Sequence, residues 1–268
     1  ISDYVFERRQ CFTYSSVVGD RALVIHRHVE IDTNQHPLIF QLKILDTFHG
    51  YLSDLVMIKQ FLHQKHFSGA GGLEVTEEMK LTIAAQACML QLNRKGPLYP
   101  RLRYIIIYPS AFVAERNDVD ESGLQHATRR GLLGESWSNG KVILAWDDVL
   151  RGARNFVDGR NVVLHDFSHQ LDSESGSTDG APLLAGESSY RSWAATLSAA
   201  YRVLQRKARH GDRSLMDHYG ATNPAEFFAV ATETFFERPE QMARHHGELF
   251  EVLAAYYRID PRDWQAQT

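Results

Sequence analysis

The sequence is poor in cysteine, in net positive charge and in long apolar runs. Only two cysteines occur, and Cys88 lies in the apolar stretch 84–90, which predicts a buried, reduced thiol. A formal net charge of -4 generates no field that would attract nucleic acid or an anionic membrane surface. No apolar run approaches the roughly 20 residues that a membrane-spanning helix needs. We therefore expect neither nucleic acid nor a membrane as a partner.

The sequence also lacks internal repeats, low-complexity tracts, a linker and, at Ile1–Tyr4, a signal-peptide pattern. These absences favour a cytoplasmic protein whose main part is a single domain. Residues 1–35 show only strand-like runs at Ala22–Ile25 and Val29–Ile31, and we assign this segment no role. Residues 36–268 form the predicted domain, which belongs to the α+β class and is mainly helical around a small mixed sheet.

Helical periodicity accounts for most of this domain. Thr76, followed by two glutamates, predicts the capped start of one helix, and Asn223 followed by Pro224 predicts another. The glycine-rich run 69–72 matches no phosphate-binding spacing and is interpreted as a turn. The predicted helices cover residues 37–66 as one or two helices, 76–93, 161–172, 190–210, 223–237 and 249–257.

Strand patterns are fewer. The apolar run Tyr104–Tyr108 predicts a buried strand, and a polar loop is expected from Glu115 to Gly131. A turn at Asn139–Gly140 then introduces a strand that ends at Trp146. This last strand has two interpretations, a sheet edge along which a peptide substrate lies extended or an ordinary core strand. The sequence alone does not choose between them.

Two histidines four residues apart, His165 and His169, stand on the predicted helix 161–172. Residues at i and i+4 share one helix face, so both imidazoles can bind one metal ion. Chance alone gives about 0.6 such pairs for 13 histidines in 268 residues, so the pair needs support from its surroundings. Its apolar neighbours predict a buried helix, where unpaired imidazoles would leave polar atoms unsatisfied. We therefore predict a metal site, with core histidines bonded to backbone carbonyls as the alternative.

Acidic residues extend this prediction. Asp172, three residues after His169, is expected to accept a hydrogen bond from a metal-binding imidazole. A catalytic zinc site needs a third protein ligand, and Glu226 is a candidate because it lies in an otherwise apolar helical run, with Glu233 on the same face. Glu226 is equally well placed, three residues after Asn223, to complete a capping box. The spacing leaves both roles of Glu226 open.

Several separate blocks of the sequence resemble one family, the Mlc titration factor A family of bacterial zinc-dependent peptidases. The resemblance runs from about His36 to Trp264 with its blocks in the right order, whereas residues 1–35 do not fit. The similar blocks are Gly69–Glu74, Ala84–Cys88, Tyr108–Phe112, His165–Asp172, Tyr219 and Asn223–Val230.

The resemblance implies a zincin-like catalytic core related to the C-terminal domain of anthrax lethal factor, with one Zn²⁺ per chain held by His165, His169 and Glu226. It also implies that Tyr219 faces the metal and donates its hydroxyl to the developing oxyanion, and that Glu233 supports the ligands. The implied activity is an aminopeptidase-like hydrolysis of peptides. Some family members bind the glucose-responsive repressor Mlc, so a transcriptional repressor of the Mlc type is an implied further partner.

Asp166 departs from the family pattern, which has Glu at this position as the general base beside the metal. The carboxylate of Asp stands back by one methylene, about 1.5 Å. A misplacement of about 1 Å in a catalytic group can lower the rate roughly a hundredfold. Three outcomes follow: a slower peptidase with Asp166 as the base, a zinc-bound regulatory protein that sequesters a transcription factor, or an altered residue. We favour the weakened hydrolase.

Overall fold

The computed structural model describes residues 56–94, 96–110 and 140–263 with their side chains. For residues 51–55 and 264–265, and for the strands within 9–32 and 112–137, it gives the backbone alone. The predicted domain boundary between residues 35 and 36 lies outside this description.

The strands near the N-terminus pair as two antiparallel ribbons. β1 (Arg9–Cys11) pairs with β4 (Glu30–Asp32), and β2 (Ser15–Val17) pairs with β3 (Ala22–Val24). The two strand-like runs predicted from the sequence coincide with β3 and β4 and are confirmed.

The central sheet has four strands. Their order in space is β5 (His66–Gly69), β6 (Tyr104–Tyr108), β10 (Lys141–Ala145) and β9 (Gly134–Trp137). Its first three strands run parallel, and the fourth pairs antiparallel with its neighbour. Two further strands form a separate antiparallel hairpin. These are β7 (Phe112–Val119) and β8 (Gln125–Leu132).

Helices make up most of the described chain, and this architecture is of the predicted α+β class. None of the helices in the described residues is long and apolar enough to cross a bilayer. The helices are α1 (Tyr51–Gln64), α2 (Glu77–Met89), α3 (Trp146–Arg154), α4 (Val162–Ser173), α5 (Glu187–His210), α6 (Pro224–Glu237), α7 (Pro239–His245), α8 (Gly247–Tyr257) and α9 (Arg262–Gln265).

Helix α4 lies at the centre of the molecule. It packs against α6, against α2 and α3, and against the sheet strands β9 and β10. Its apolar face is fully buried, with the ring of Phe167 centred 4.9 Å from that of Tyr99 and 5.8 Å from that of Phe61. Each large apolar side chain buried in this way contributes roughly 1.5–3 kcal/mol. The core therefore fixes the helix that carries the histidine pair.

Local signals predicted the helix starts and the central strand. Thr76 accepts a hydrogen bond from the Met79 amide at the start of α2, and β6 has the predicted bounds. The helices expected near 190–210, 223–237 and 249–257 are confirmed as α5, α6 and α8.

One strand prediction was wrong, one strand was not predicted, and one open alternative is decided. The polar loop expected from Glu115 to Gly131 is instead the β7–β8 hairpin. Strand β5 was not predicted, because a four-residue strand with mostly exposed side chains has no apolar pattern and depends on pairing with β6. Of the two interpretations of the strand before Trp146, the core strand is the one observed, because β10 lies between β6 and β9.

Candidate metal centre

Asn161 sets the position of α4 and hence of the histidine pair. Its Oδ1 accepts hydrogen bonds from the amides of Val163 and Leu164, both at 3.1 Å. A capping side chain of this kind satisfies amides that have no partner within the helix. One turn further, the rings of His165 and His169 meet edge to face, with their centroids 5.0 Å apart. The helix therefore presents both imidazoles on one face, as the spacing predicts.

Glu226 reaches the histidines from the first turn of α6. Asn223 caps this helix by accepting a hydrogen bond from the Glu226 amide at 2.9 Å. The Glu226 carboxylate extends away from the cap, so that Oε2 lies 3.0 Å from Nε2 of His165 and 3.4 Å from Nε2 of His169. The backbone of Glu226 therefore serves the helix cap, while its side chain faces the imidazoles.

The three facing atoms form a nearly regular triangle. Its third side, between the Nε2 atoms of His165 and His169, is 3.3 Å. In a tetrahedral zinc site with ligands at about 2.0–2.1 Å, two ligand atoms lie about 3.3–3.4 Å apart. Two imidazoles and one carboxylate are also a donor set that zinc accepts. The residues present fit a metal ion, and they are the only such group among the described residues.

Glu233 supports His165 from the side opposite to Glu226. Its Oε1 lies 2.7 Å from Nδ1 of His165, and its Oε2 accepts the backbone amide of Asn161 at 2.6 Å. A metal-binding imidazole typically donates its second N–H to such a carboxylate, which fixes the ring orientation. The structure thus brings Glu233 to the position that the sequence predicted.

The three facing side chains influence one another's ionisation. Burial lowers the pKa of His165, but the charge of Glu233 and hydrogen bonds to Glu226 and Glu233 outweigh it, so the pKa lies well above its ordinary value. Burial lowers the pKa of His169. Burial raises the pKa of Glu226, but hydrogen bonds to both histidines outweigh that effect and hold it well below its usual range. Glu226 is therefore an anion over the physiological pH range, as a metal ligand must be.

Asp172 does not contact the histidine pair. Its Oδ2 accepts the amide of Gly180 at 2.7 Å, and burial raises its pKa to about 7. Nδ1 of His169 has no hydrogen-bond partner among the described residues. The predicted bond between Asp172 and a metal-binding imidazole is therefore not formed, and the Asp172 carboxylate bonds the amide of Gly180 in the loop after α4 instead. Asp172 instead holds that loop.

Asp166 is buried beside His165, with 1% of its surface exposed. Its negative charge contributes to the raised pKa of His165, which places the carboxylate within electrostatic reach of the ring. A carboxylate in such a low-dielectric position interacts strongly with a neighbouring charge. Asp166 is therefore near the histidine pair and shielded from solvent.

Tyr219 lies beside His165. It belongs to a 3-10 turn, His218–Ala221, and its ring centroid is 5.9 Å from that of His165. Half of the side chain, 52%, is exposed to solvent. Asp217 fixes the turn, since its Oδ1 accepts the Tyr219 amide at 2.9 Å and its Oδ2 accepts a bond from Arg160 at 2.7 Å. Tyr219 is thus near His165 and partly exposed to solvent.

Sequence reasoning missed the parts of the site that act through backbone and amide groups. The roles of Asp217, Asn161 and Gln86 were not predicted, although a visible signal existed for two of them. Asn161 precedes a helix as a capping residue should. Gln86 is a polar residue in the apolar run 84–90, and such residues have hydrogen-bond partners in the interior.

Comparisons with known proteins show the family of this chain. The model of the family described as glucose-regulated metallo-peptidase M90 matches residues 49–258. A Synechocystis protein described as uncharacterized is 39% identical over 205 residues, covering 76% of this chain and 74% of its own. Mlc titration factor A of Serratia proteamaculans is 32% identical over 210 residues, covering 77% and 79%. The same protein of Klebsiella pneumoniae is 33% identical over 208 residues, covering 76% and 77%.

The family match includes all four of His165, His169, Tyr219 and Glu226, and it extends over most of the chain. The relatives match over three quarters of their own length or close to it. The chain belongs to the glucose-regulated metallopeptidase M90 family, which is the family of the Mlc titration factor A proteins.

Proposed function

We propose that the protein is a zinc-dependent peptidase. The observation that carries the proposal is the triangle of ligand atoms from His165, His169 and Glu226, whose sides of 3.0, 3.3 and 3.4 Å fit a tetrahedral zinc ion. Membership of a metallopeptidase family supports it independently. Three protein ligands leave a fourth position for water or substrate, which distinguishes a catalytic zinc site from a structural one. We infer a zincin-like arrangement of the helices that carry these ligands.

When bound there, zinc supplies a Lewis acid that lowers the pKa of a water molecule and polarises the carbonyl of a peptide bond. Asp166 accepts the proton of the attacking water as general base. Tyr219 donates a hydrogen bond from its hydroxyl to the oxygen on which negative charge develops. Glu233 holds the His165 ring in its metal-binding orientation through the 2.7 Å bond to Nδ1.

The sheet offers a surface for the substrate. Among the described strands, β9 pairs with β10 alone, and it packs beside α4. An extended peptide that pairs with β9 therefore passes next to the histidine pair. The resemblance to the Mlc titration factor A family favours an aminopeptidase-like cleavage at a free N-terminus.

Metal analysis together with peptide hydrolysis tests the proposal. The purified protein is expected to bind one zinc per chain, His165→Ala and Glu226→Ala to lose it, and His210→Ala, which changes an exposed histidine away from the site, to keep it. Hydrolysis of a free amino-acid anilide should require zinc and exceed that of its N-acetylated analogue. Absence of stoichiometric zinc in the wild type, with the same metal content in His165→Ala, would falsify the proposal.

A second function rests on a different observation. The name Mlc titration factor A assigns to those relatives an action on Mlc, and Asp166 has a shorter carboxylate than the glutamate of the family pattern. Both favour a zinc-bound protein that sequesters a repressor and hydrolyses peptides weakly or not at all. Gel filtration with an Mlc-type repressor tests the binding. A wild type without activity above its metal-free control, together with complex formation, supports this function over the peptidase.

A further inference from the structure

Asn161 connects four helices at the end of the metal-binding helix. All of its polar groups are engaged: its amide donates to Glu233, its carbonyl accepts from His165 at 2.9 Å, and its Oδ1 caps α4. The remaining group, Nδ2, donates to Oε1 of Gln86 at 2.9 Å. The side chain is almost fully buried, with 1% exposed. Asn161 therefore has one hydrogen-bonding arrangement open to it.

Gln86 fixes the amide of Asn161 from α2. Its Nε2 donates to the Thr82 carbonyl at 3.1 Å, which orients the amide so that Oε1 faces Asn161. The side chain is fully buried among the apolar residues of α2. A buried amide that makes both of its hydrogen bonds is held in one rotamer, because water offers no alternative partner.

Gly152, on α3, lies close to the Asn161 side chain, which has room there only because glycine has no Cβ. A Cβ at this position would lie 2.9 Å from Cγ of Asn161 and 3.0 Å from its Nδ2. These distances are shorter than van der Waals contact, and Asn161 cannot move away without breaking bonds to Gln86 or to the helix cap. The absence of a side chain at Gly152 thus sets how closely α3 approaches the end of α4.

Glu233 depends on this arrangement. Its carboxylate bridges two groups that Asn161 positions, the Asn161 amide at 2.6 Å and the His165 ring at 2.7 Å. If Asn161 moves, the Glu233 carboxylate can no longer bond both the Asn161 amide and the His165 ring. The ring then loses its fixed orientation. Orientation of a metal-binding imidazole by a carboxylate affects metal affinity by roughly 10- to 100-fold.

We propose that Gln86 and Gly152 are positioning residues of the metal centre, which act through Asn161 and Glu233 on the orientation of His165. The inference rests on the proposed zinc site. Neither residue touches the ligands, so the effect of each passes through Asn161. The proposal extends the site from the facing side chains of α4 and α6 to two helices, α2 and α3, that contribute no ligand.

Gln86→Met and Gly152→Ala test the proposal through zinc affinity, measured by competition with a chromophoric chelator. Each variant is expected to bind zinc about tenfold more weakly than the wild type. The absorption spectrum of the cobalt-substituted protein should change as well, because it reports the ligand geometry. Gly152→Ala favours the helical conformation of α3, so its loss of affinity should not follow from a lower helix propensity.

Ile83→Val is the matched control, since Ile83 is fully buried on α2 and lies one turn before Gln86. It is expected to lower stability while leaving zinc affinity and the cobalt spectrum unchanged. Unchanged zinc affinity in both Gln86→Met and Gly152→Ala overturns the proposal, as does a loss of affinity in Ile83→Val of equal size.

The proton on Nδ1 of His165 gives a readout that does not require metal. In metal-free wild type, NMR should detect this proton as a protected signal because it is bonded to Glu233, and both variants should broaden or shift it. A wild type that binds no zinc overturns the proposed function, while this signal still decides whether Gln86 and Gly152 position His165. An unchanged signal in both variants contradicts the positioning role.

Discussion

Glu233 holds His165 from the side of the ring opposite to Glu226, with Oε1 2.7 Å from Nδ1. The two glutamates lie seven residues apart on one face of α6, so a single helix supplies both the ligand and the group that orients another ligand. The amide of Asn161 restrains the second oxygen of Glu233. Metal binding therefore depends on the register between α4 and α6.

Glu233→Gln should weaken zinc binding by roughly 10- to 100-fold, because an amide is a poorer hydrogen-bond acceptor for the imidazole than a carboxylate. Competition with a chelator measures the dissociation constant. Thr232→Val is the control on the same helix, since the Thr232 hydroxyl bonds that of Tyr257 and no histidine. Equal zinc affinity in wild type and Glu233→Gln would contradict the orienting role.

Tyr219→Phe should lower kcat by about 100- to 1000-fold while zinc affinity stays unchanged, since the hydroxyl stabilises charge only in the transition state. Steady-state hydrolysis of a peptide substrate, with zinc content measured on the same samples, checks this. Asp217→Ala offers a comparison. It removes the acceptor for the Tyr219 amide, so it should reduce kcat less than Tyr219→Phe does.

The sequence predicted those parts of the fold that depend on local chemistry. Thr76, Asn223 and the apolar run of β6 act on their immediate neighbours, so their effects can be inferred without a partner. Strand β5 could not be predicted in this way, because its only reason to be extended is the backbone of β6. The β7–β8 hairpin likewise consists mostly of polar residues that pair with each other.

The same distinction between local effects and contacts of distant segments applies to the residues of the site. The i, i+4 spacing was sufficient to bring His165 and His169 together, whereas Glu226 lies 61 residues from His165. Local cues for Glu226 favoured a helix cap and a ligand equally, so its assignment as a ligand depended on the family resemblance. The packing of α6 on α4 brings its carboxylate next to both histidines. Asp172 was assigned by spacing to the wrong target, because a distance along a helix does not say which neighbouring segment a side chain meets.

Glu237 should make stability depend on pH. Burial and the charges of Glu233 and Asp158 raise its pKa to about 9, despite the hydrogen bonds that it accepts. A carboxyl whose pKa is raised by folding binds its proton more tightly in the folded state, so its contribution is complete below about pH 4.5 and is lost as the pH rises to about 9. Asp172, whose pKa is about 7, acts in the same direction over a narrower range.

Urea unfolding of the metal-free protein between pH 5 and pH 9 measures this dependence. The free energy of unfolding of the wild type should fall as the pH rises, by up to roughly 1.4 kcal/mol per pH unit for each proton released. Glu237→Gln keeps an acceptor for Gly159 and Arg160 but cannot titrate, so its curve should be flatter. Parallel curves for the two proteins would exclude Glu237 as the source.

Lys65 stabilises the turn that leads into β6. Its buried ammonium group donates to the carbonyls of Leu98, Tyr99 and Leu102 at 2.8, 2.7 and 2.9 Å. Lys65→Met leaves these acceptors without a donor and should lower the free energy of unfolding by about 3 kcal/mol. Lys80→Met, which removes only a surface pair with Glu77, should change it by less than about 1 kcal/mol. Similar urea midpoints for both variants would contradict this role of Lys65.

Asp166→Glu is the most informative change to the proposed catalytic group. The longer side chain advances the carboxylate by about 1.5 Å toward the position that the resemblance implies for a general base, so kcat should rise by roughly 100-fold. Zinc content should be the same as in the wild type, because this residue is not one of the three ligands. The added methylene enters a buried position and should lower stability by about 1–3 kcal/mol, so rates are measured well below the unfolding temperature.

Asp166→Asn, which cannot accept the proton, should have no activity above the metal-free control. If all three proteins hydrolyse the peptide equally, then Asp166 is not the base, and the proton of the attacking water must go to a different group.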